Sequence, residues 1–470
     1  MDVTEFLKAV RYTEEEIESE KQRVSEGFDK CKIIDQDTLK QAQVNLSRYL
    51  TTEGARRTMG IAVMRFTDMM MAKDEGKKLI YLIHEEFPQI ALTFYNAMGR
   101  DKLVIEIPET YLWLLFGQMC FDRMVDILEA AERYGMEIGV GHCPIDQLAY
   151  GGVAGGIIPT PDVATSGGVF CDQGPKTAEI IGELCDVPYF VTTDSCRDES
   201  WGSFPELDID CIRFLGESTE RHFKEIGNHL GVEVTEKHFR KARVEIAMLW
   251  GPLQETLQLT SDADPRPISV MDEEPFLQMT VYPDWRTKEL TKAFRTLIKE
   301  IKERTAKGEG VIPKGALRTT FFCDPRPDIA EMCEKELGLN ILLPGIYWVA
   351  PFEKTRVIGK EENEYVRFAE AYIRRGIVRC HWDHVYRAIE CTDHFKLDGY
   401  MAAYEYGCRP LCFPGRWIKD EIEEKLGIPA TYFEESADPR MHTPDQLRTK
   451  IETFAAVMKI KKAKREKQAA

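Results

Sequence analysis

Short apolar runs alternate with longer amphipathic stretches from residue 76 onwards, and this alternation is the main structural signal of the chain. The run 78–83 is typical, because it has the length of a strand that is buried on both faces. Strands that alternate with helices of about a dozen residues are characteristic of βαβ units around a parallel sheet. The pattern therefore predicts an α/β fold.

The same pattern predicts individual elements in the first half of the chain. The predicted strands are 78–83, 103–107, 138–141, 163–166 and 189–193. The predicted helices are 87–98, 109–134 and 174–185, and a helical start at Pro144. A second series of alternating strands and helices is predicted after about residue 312. Its strands are predicted at 317–322, 340–343, 400–404 and 431–433, and its helices at 328–337, 364–375, 382–394 and 417–426.

These elements divide the chain into five predicted segments. We expect two Rossmann-like parallel-sheet domains, with an N-terminal helical segment and a helical insertion. In order, the segments are an N-terminal helical segment (1–75), a first Rossmann-like domain (76–211), a helical subdomain (212–311), a second Rossmann-like domain (312–440), and a C-terminal helix with a basic tail (441–470). In the helical subdomain, the clearest helices are predicted at 236–250 and 285–304.

Composition narrows the functional classes. The 470 residues carry a formal net charge of −17, which argues against non-specific binding to nucleic acid. No apolar run reaches the roughly 18 residues that a membrane-spanning helix needs. The first residues, 1–5, lack the basic region and apolar core of a secretory signal. We therefore expect a cytoplasmic protein that binds neither nucleic acid nor membrane.

The cysteines carry the strongest chemical signal. There are thirteen, and they are dispersed, whereas a cytosolic chain is not expected to hold a disulfide framework. Cys143, Cys171 and Cys408 each follow a predicted strand, among glycines, and precede a helix-opening signal. Thiolates at helix N-termini are favoured ligands for iron–sulfur clusters. Three such ligands would leave one iron with an exchangeable position, so that a substrate atom can bind there.

Other ligand sets remain open at this point. Cys196 and Cys323 also follow predicted strands, and either is a candidate fourth ligand. A zinc-stabilised α/β binding protein is a further alternative. The cysteines on predicted helices are expected to serve packing; they are Cys185, Cys333, Cys380 and Cys391. Neither a dinucleotide-binding GxGxxG nor a P-loop is present, so any ATP dependence must come from another protein.

Three groups of residues carry a resemblance to a known family. They are the segment 87–99, the span from Cys143 to Cys171-Asp172, and the span 397–409 with the later segments 427–429 and 438–440. Over about residues 76–455 the chain resembles subunits of 2-hydroxyacyl-CoA dehydratases and ATP-dependent benzoyl-CoA reductases. The linker 308–315 is more similar to the benzoyl-CoA reductase branch.

The resemblance implies a cofactor and partners. Cys143, Cys171 and Cys408 would bind a [4Fe-4S] cluster between the two domains. A related cluster-binding subunit, or a second copy of the chain, would pair with this one, and a separate ATP-hydrolysing iron–sulfur activator would deliver low-potential electrons. The expected substrate is an acyl-CoA thioester.

The resemblance leaves the reaction open among several types. Ring reduction of the benzoyl-CoA type is the reaction that we expect, because the linker favours it, and dehydration of a 2-hydroxyacyl-CoA is the first alternative. A reductase of small molecules with a double-cubane cluster, and a non-catalytic electron relay or scaffold, are further alternatives.

Candidate catalytic residues lie after the first predicted strand. His84 and Glu85 are predicted proton donors, because histidine exchanges protons near neutral pH and a carboxylic acid beside a cluster can do so too. His142 adjoins Cys143 and is a candidate donor of a hydrogen bond to a cluster sulfur. The aromatic residues Trp113, Tyr347 and Trp348 are expected to be core rather than a substrate platform.

Overall fold

The protein is described here from a computed structural model. The structure describes residues 1–84, 89–138, 142–168, 171–193, 209–321, 326–342, 358–360, 362–373, 381–408 and 412–469.

The N-terminal segment is helical, as predicted. It forms α1 (Thr4–Ala9), α2 (Glu14–Cys31), α3 (Gln36–Tyr49) and α4 (Glu53–Met71). Thr13, Asp35 and Thr52 cap the last three helices, since each side chain accepts a hydrogen bond from a backbone N–H of the first turn. Helix α4 is buried over most of its surface. The segment is therefore part of the main core rather than a separate attachment.

The first sheet contains four parallel strands. In chain order its elements are β1 (Lys78–Leu82), α5 (Ile90–Met98), β2 (Leu103–Glu106), α6 (Pro108–Phe116), α7 (Met124–Arg133), α8 (Pro144–Ala154), β3 (Val163–Gly168), α9 (Gln173–Cys185) and β4 (Tyr189–Thr193). The strand order is β2-β1-β3-β4. Ile138, predicted to begin a strand, lies in a turn, and the remainder of that prediction, 139–141, lies outside the described residues.

The prediction of one long helix over 109–134 was wrong. The chain leaves helix α6 at Gly117, which has an extended conformation, and resumes as α7 at Met124. The intervening segment folds back, so that the Phe121 N–H donates to the Leu115 carbonyl. Phe121 thereby reaches the aromatic core and packs 5.4 Å from the rings of Phe6 and Phe28. Burial of this ring is favourable, but it depends on residues distant in sequence. The helical periodicity of 109–134 therefore does not indicate it.

The segment predicted as a helical subdomain consists mainly of helices. They are α10 (Ile209–Leu230), α11 (Glu236–Asp262), α12 (Val270–Val281) and α13 (Thr287–Lys307). Helix α11 extends past its predicted end at Trp250 and includes Pro252. Its buried positions continue beyond that proline, with Leu253 and Leu257, so packing outweighs the local preference of proline to end a helix.

The second series of strands is also parallel. Its elements are β5 (Leu317–Thr320), α14 (Pro327–Glu331) with a π-helical turn (Met332–Glu336), β6 (Leu339–Leu342), α15 (Glu364–Ile373), α16 (His381–His394), β7 (Tyr400–Glu405), α17 (Gly415–Leu426), β8 (Ala430–Glu435) and α18 (Pro444–Ala469). Strand β5 pairs with β6 and β7 pairs with β8, and a parallel bridge from Phe321 to Met401 connects the two pairs. The resulting order is β6-β5-β7-β8.

The two halves of the chain thus repeat one strand order. In each half the first strand lies between the second and the third, and the fourth strand forms an edge. The order in which the chain adds strands to the sheet therefore reverses between the first and the third strand. Open α/β sheets bind their ligands at such a reversal, beyond the carboxyl ends of the strands. No helix within the described ranges combines the length and apolar character needed to cross a membrane.

Candidate functional site

Cys143 occupies the N-cap of helix α8, immediately before Pro144. Its side chain is buried, and the Sγ atom lies 3.3 Å from Oδ2 of Asp146. Burial raises the pKa of the Cys143 thiol well above its ordinary value, and the Asp146 carboxylate raises that pKa further. Positive charge near this sulfur would have the opposite effect.

Cys171 lies three residues beyond the end of strand β3 and two residues before helix α9. It is buried. Its Sγ atom accepts a hydrogen bond from the backbone N–H of Gln173 at 3.4 Å. The sulfur therefore faces the N-terminus of a 13-residue helix, whose free N–H groups and dipole favour negative charge.

Cys408 lies in the other half, three residues beyond the end of β7. Its side chain is partly exposed, and its N–H donates to the Glu405 carbonyl at 3.0 Å. The preceding residue, Gly407, has a positive φ of 85°. A Cβ atom at this glycine would lie only 3.0 Å from the His142 carbonyl oxygen and 3.5 Å from the Cα atom of Cys143. The Cys408 loop therefore packs directly on the backbone that carries Cys143.

Gln173 connects all three cysteine segments. Its backbone N–H donates to Cys171, its side-chain Oε1 accepts from the Cys143 N–H at 3.0 Å, and its Nε2 donates to the Gly407 carbonyl at 2.8 Å. The Cys408 and Cys171 thiolates also raise the pKa of Cys143 by charge repulsion. The three cysteine segments therefore meet at Gln173, whereas the binding of a cluster by their thiols stays a prediction. Sequence reasoning missed Gln173, although its position two residues after Cys171 was a usable signal.

A fourth cysteine of this region was also overlooked. The Cys412 N–H donates to the Cys408 carbonyl at 2.9 Å, and its Sγ atom donates to the Glu405 carbonyl at 3.1 Å. The Glu405 carboxylate accepts hydrogen bonds from the Ser436 hydroxyl and the Ala437 N–H, and burial raises its pKa to about 8. Strand β7 thus connects the cysteine loop to the segment that follows β8.

His84 lies at the same end of the first sheet. It has a positive φ of 43°, and its backbone N–H donates to the buried carboxylate of Glu109. A Cβ at Gly174, in the first turn of α9, would lie 2.9 Å from Cβ of His84. This residue is therefore next to the helix that faces Cys171. The other predicted donor, Glu85, lies outside the described residues.

The remaining predicted residues are placed only in part. Cys196, Cys323, Tyr347, Trp348 and Cys380 lie outside the described residues. Trp113 is half-buried, and its Nε1 donates to Glu274 at 3.1 Å. Cys333 and Cys391 are buried and Cys185 is half-buried, in agreement with packing roles. Across the described ranges, no three His, Cys, Asp or Glu side chains form a group that could hold a metal ion.

Comparison with known proteins identifies the family. The sequence profile described as 2-hydroxyglutaryl-CoA dehydratase, D-component, matches residues 116–458 of this chain. The match includes the three converging cysteines and Gln173, and it ends within helix α18. A search of the curated proteins found no match.

Proposed function

The chain belongs to the 2-hydroxyglutaryl-CoA dehydratase D-component family, and from this premise we propose that it is the iron–sulfur-binding component of an enzyme that acts on an acyl-CoA thioester. The family is one of dehydratases, and the word component indicates that its members work with other proteins. The proposal extends the family assignment by naming a cofactor, a set of ligands and a substrate class.

The observation that carries the proposal is the convergence of Cys143, Cys171 and Cys408 around Gln173. Thiolates are the usual protein ligands of iron–sulfur clusters. Burial and the neighbouring cysteines raise the pKa of the Cys143 thiol. Positive charge, which the irons of a cluster would supply, would favour its thiolate form. In a cluster each thiolate binds a different iron, so the sulfurs need not surround one point as they do around a single metal ion.

Each ligand is supported by its surroundings. Cys143 caps helix α8, and Cys171 lies before α9, so two helix N-termini favour their thiolate forms. Gly407 permits the close approach of the third cysteine segment. We propose Cys143, Cys171 and Cys408 as the ligands of a [4Fe-4S] cluster and the two sheets as Rossmann-like domains on either side of it.

When bound, such a cluster supplies single electrons at low potential. The residues of the chain have the complementary task of holding the thioester and moving protons. Among the residues that the structure describes, His84 is the proposed proton donor, because it adjoins the first turn of α9 and histidine is the most common general acid in enzymes. Removal of a hydroxyl group from a 2-hydroxyacyl-CoA needs such a donor, since the hydroxyl leaves as water.

Ring reduction of the benzoyl-CoA type is a second candidate reaction. It is favoured by the linker 308–315, whose sequence is more similar to that branch. The partners are proposed to be the same for both reactions: a related subunit or a second copy of this chain, and an ATP-hydrolysing iron–sulfur activator.

The test is an anaerobic preparation of the chain with its partner subunit and activator. In the chain purified alone, before the other two proteins are added, iron and acid-labile sulfide should be present at about four of each per chain. The electron paramagnetic resonance spectrum of the reduced protein should change when the correct acyl-CoA is added. Turnover of a 2-hydroxyacyl-CoA or of benzoyl-CoA then decides between the two reactions. A colourless protein that holds zinc instead of iron would refute the proposal.

A further inference from the structure

We propose that Gln173 is the positioning residue that fixes the distance between the cysteine segments of the two halves. The inference deepens the proposed function, on which its consequences for a cluster rest. Its structural part concerns this chain alone and holds whether or not a cluster is bound.

The geometry of Gln173 is that of a bridge. The side chain is completely buried. Its two amide atoms bind two backbone groups from segments 264 residues apart, the N–H of Cys143 and the carbonyl of Gly407. The bridge therefore crosses from the first sheet's half of the chain to the second, next to one ligand on each side.

A third hydrogen bond holds the backbone of Gln173 in place. The backbone N–H of Gln173 donates to the Cys171 sulfur, and Gln173 is the first residue of α9. Because the helix restrains the backbone of Gln173, the side-chain amide starts from a defined position. An N–H donor to sulfur also tunes the potential of an iron–sulfur cluster.

The chemistry of the site requires an amide. Cys143 offers a donor and Gly407 offers an acceptor, and the carbonyl and NH₂ groups of a glutamine side chain bind both. An ionised glutamate in its place has no donor for the Gly407 carbonyl, and a methionine has neither group. Each loss leaves a buried backbone group unpaired, which is costly.

A matched control is available in the same region. Gln147 is equally buried, and its Nε2 donates to the Met136 carbonyl at 2.8 Å, within the first half of the chain. A substitution there also removes a buried side-chain hydrogen bond, but it leaves the connection between the halves intact.

The first experiment is hydrogen exchange of the Cys143 amide in the cluster-free protein. In the wild type this amide should be protected, and in Gln173→Met it should exchange about tenfold faster, the factor that corresponds to loss of one buried hydrogen bond. Gln173→Glu keeps the acceptor and should retain most of the protection. Gln147→Met should leave exchange at Cys143 unchanged. An unprotected amide in the wild type, or equal exchange in wild type and Gln173→Met, would overturn the inference.

The second experiment uses the anaerobically loaded protein. Gln173→Met should shift the midpoint potential and the resonance spectrum of the cluster, because it releases the Gly407 carbonyl. Gln173→Glu should do the same where its carboxylate is ionised, and Gln147→Met should shift neither. Potentials and spectra equal to those of the wild type in both Gln173 variants would contradict the positioning role. If the wild type itself binds no iron, the proposed function fails, and the exchange experiment still decides the role of Gln173.

Discussion

Cys171 and Cys408 occupy the same place in the two halves of the chain. Each lies three residues beyond the end of the third strand of its series, β3 for Cys171 and β7 for Cys408. Both strands lie beside the first strand of their series, where the order of the sheet reverses. The equivalence explains how two residues far apart in sequence reach one region, because each half places its cysteine beyond the carboxyl end of the corresponding strand.

The three converging cysteines should bind the iron. Cys143→Ala, Cys171→Ala and Cys408→Ala should each lose most of the iron and acid-labile sulfide of the anaerobic protein, since each removes one thiolate ligand. Cys120→Ala is the control, because Cys120 is buried in the N-terminal core. Full iron content in the triple variant, measured per folded chain, would show that the cluster lies elsewhere.

Gly407 should be intolerant of a side chain for two separate reasons. Its positive φ disfavours alanine by about 1 kcal/mol, and a Cβ would press on the His142 carbonyl. Gly427 has a similar φ of 64° but nothing within 4 Å of its Cβ position. Urea unfolding should therefore show a larger loss of unfolding free energy for Gly407→Ala than for Gly427→Ala. Equal losses would mean that the contact with His142 relaxes freely.

A buried ion pair should connect the N-terminal helices to the first sheet. Arg65 on α4 donates to the Glu106 carboxylate at 2.7 Å, and both side chains are almost inaccessible. Arg65→Met should reduce the unfolding free energy by about 3–5 kcal/mol, because it leaves a buried carboxylate without its partner. Arg65→Met with Glu106→Gln should recover part of this loss.

The control for that pair is an ion pair whose arginine is exposed. Arg240 pairs with Glu364 at 2.9 Å, but its side chain is 63% exposed. Arg240→Met should cost less than about 1 kcal/mol, since solvent screens the attraction. Chemical denaturation of the four proteins at one pH gives all these values. A loss for Arg65→Met as small as that for Arg240→Met would contradict the assigned role.

Glu334 should contribute a distinct pH dependence of stability. Burial raises the pKa of this carboxyl from 4.5 to about 7, although the Ser269 hydroxyl and the Val270 N–H donate to it. The folded state thus holds this proton more tightly than the unfolded state. The unfolding free energy should fall as pH rises from about 4.5 to about 7 and should level off above that range.

The variant Glu334→Gln measures how much Glu334 contributes to the pH dependence of the unfolding free energy. The amide does not titrate, so the variant should gain stability relative to the wild type between those pH values. The measurement is the difference in unfolding free energy between the two proteins across the range. A difference that is independent of pH would show that the pKa of Glu334 is not raised in the folded state.

The sequence alone determined the parallel α/β pattern and the three cysteines. Buried parallel strands are short continuous apolar runs, so β1 and β2 are visible in the local sequence. The resemblance to the dehydratase family rested on local motifs as well, and the family match confirms it.

Only the tertiary structure decided the break between α6 and α7, the continuation of α11 through Pro252, and the bridge at Gln173. Each depends on groups distant in sequence: the rings that receive Phe121, the apolar surface under Leu257, and the Gly407 carbonyl 234 residues from Gln173. Local periodicity reports which side of an element is apolar. It does not report which backbone group another part of the chain will bring to it, because that depends on how the two sheets pack.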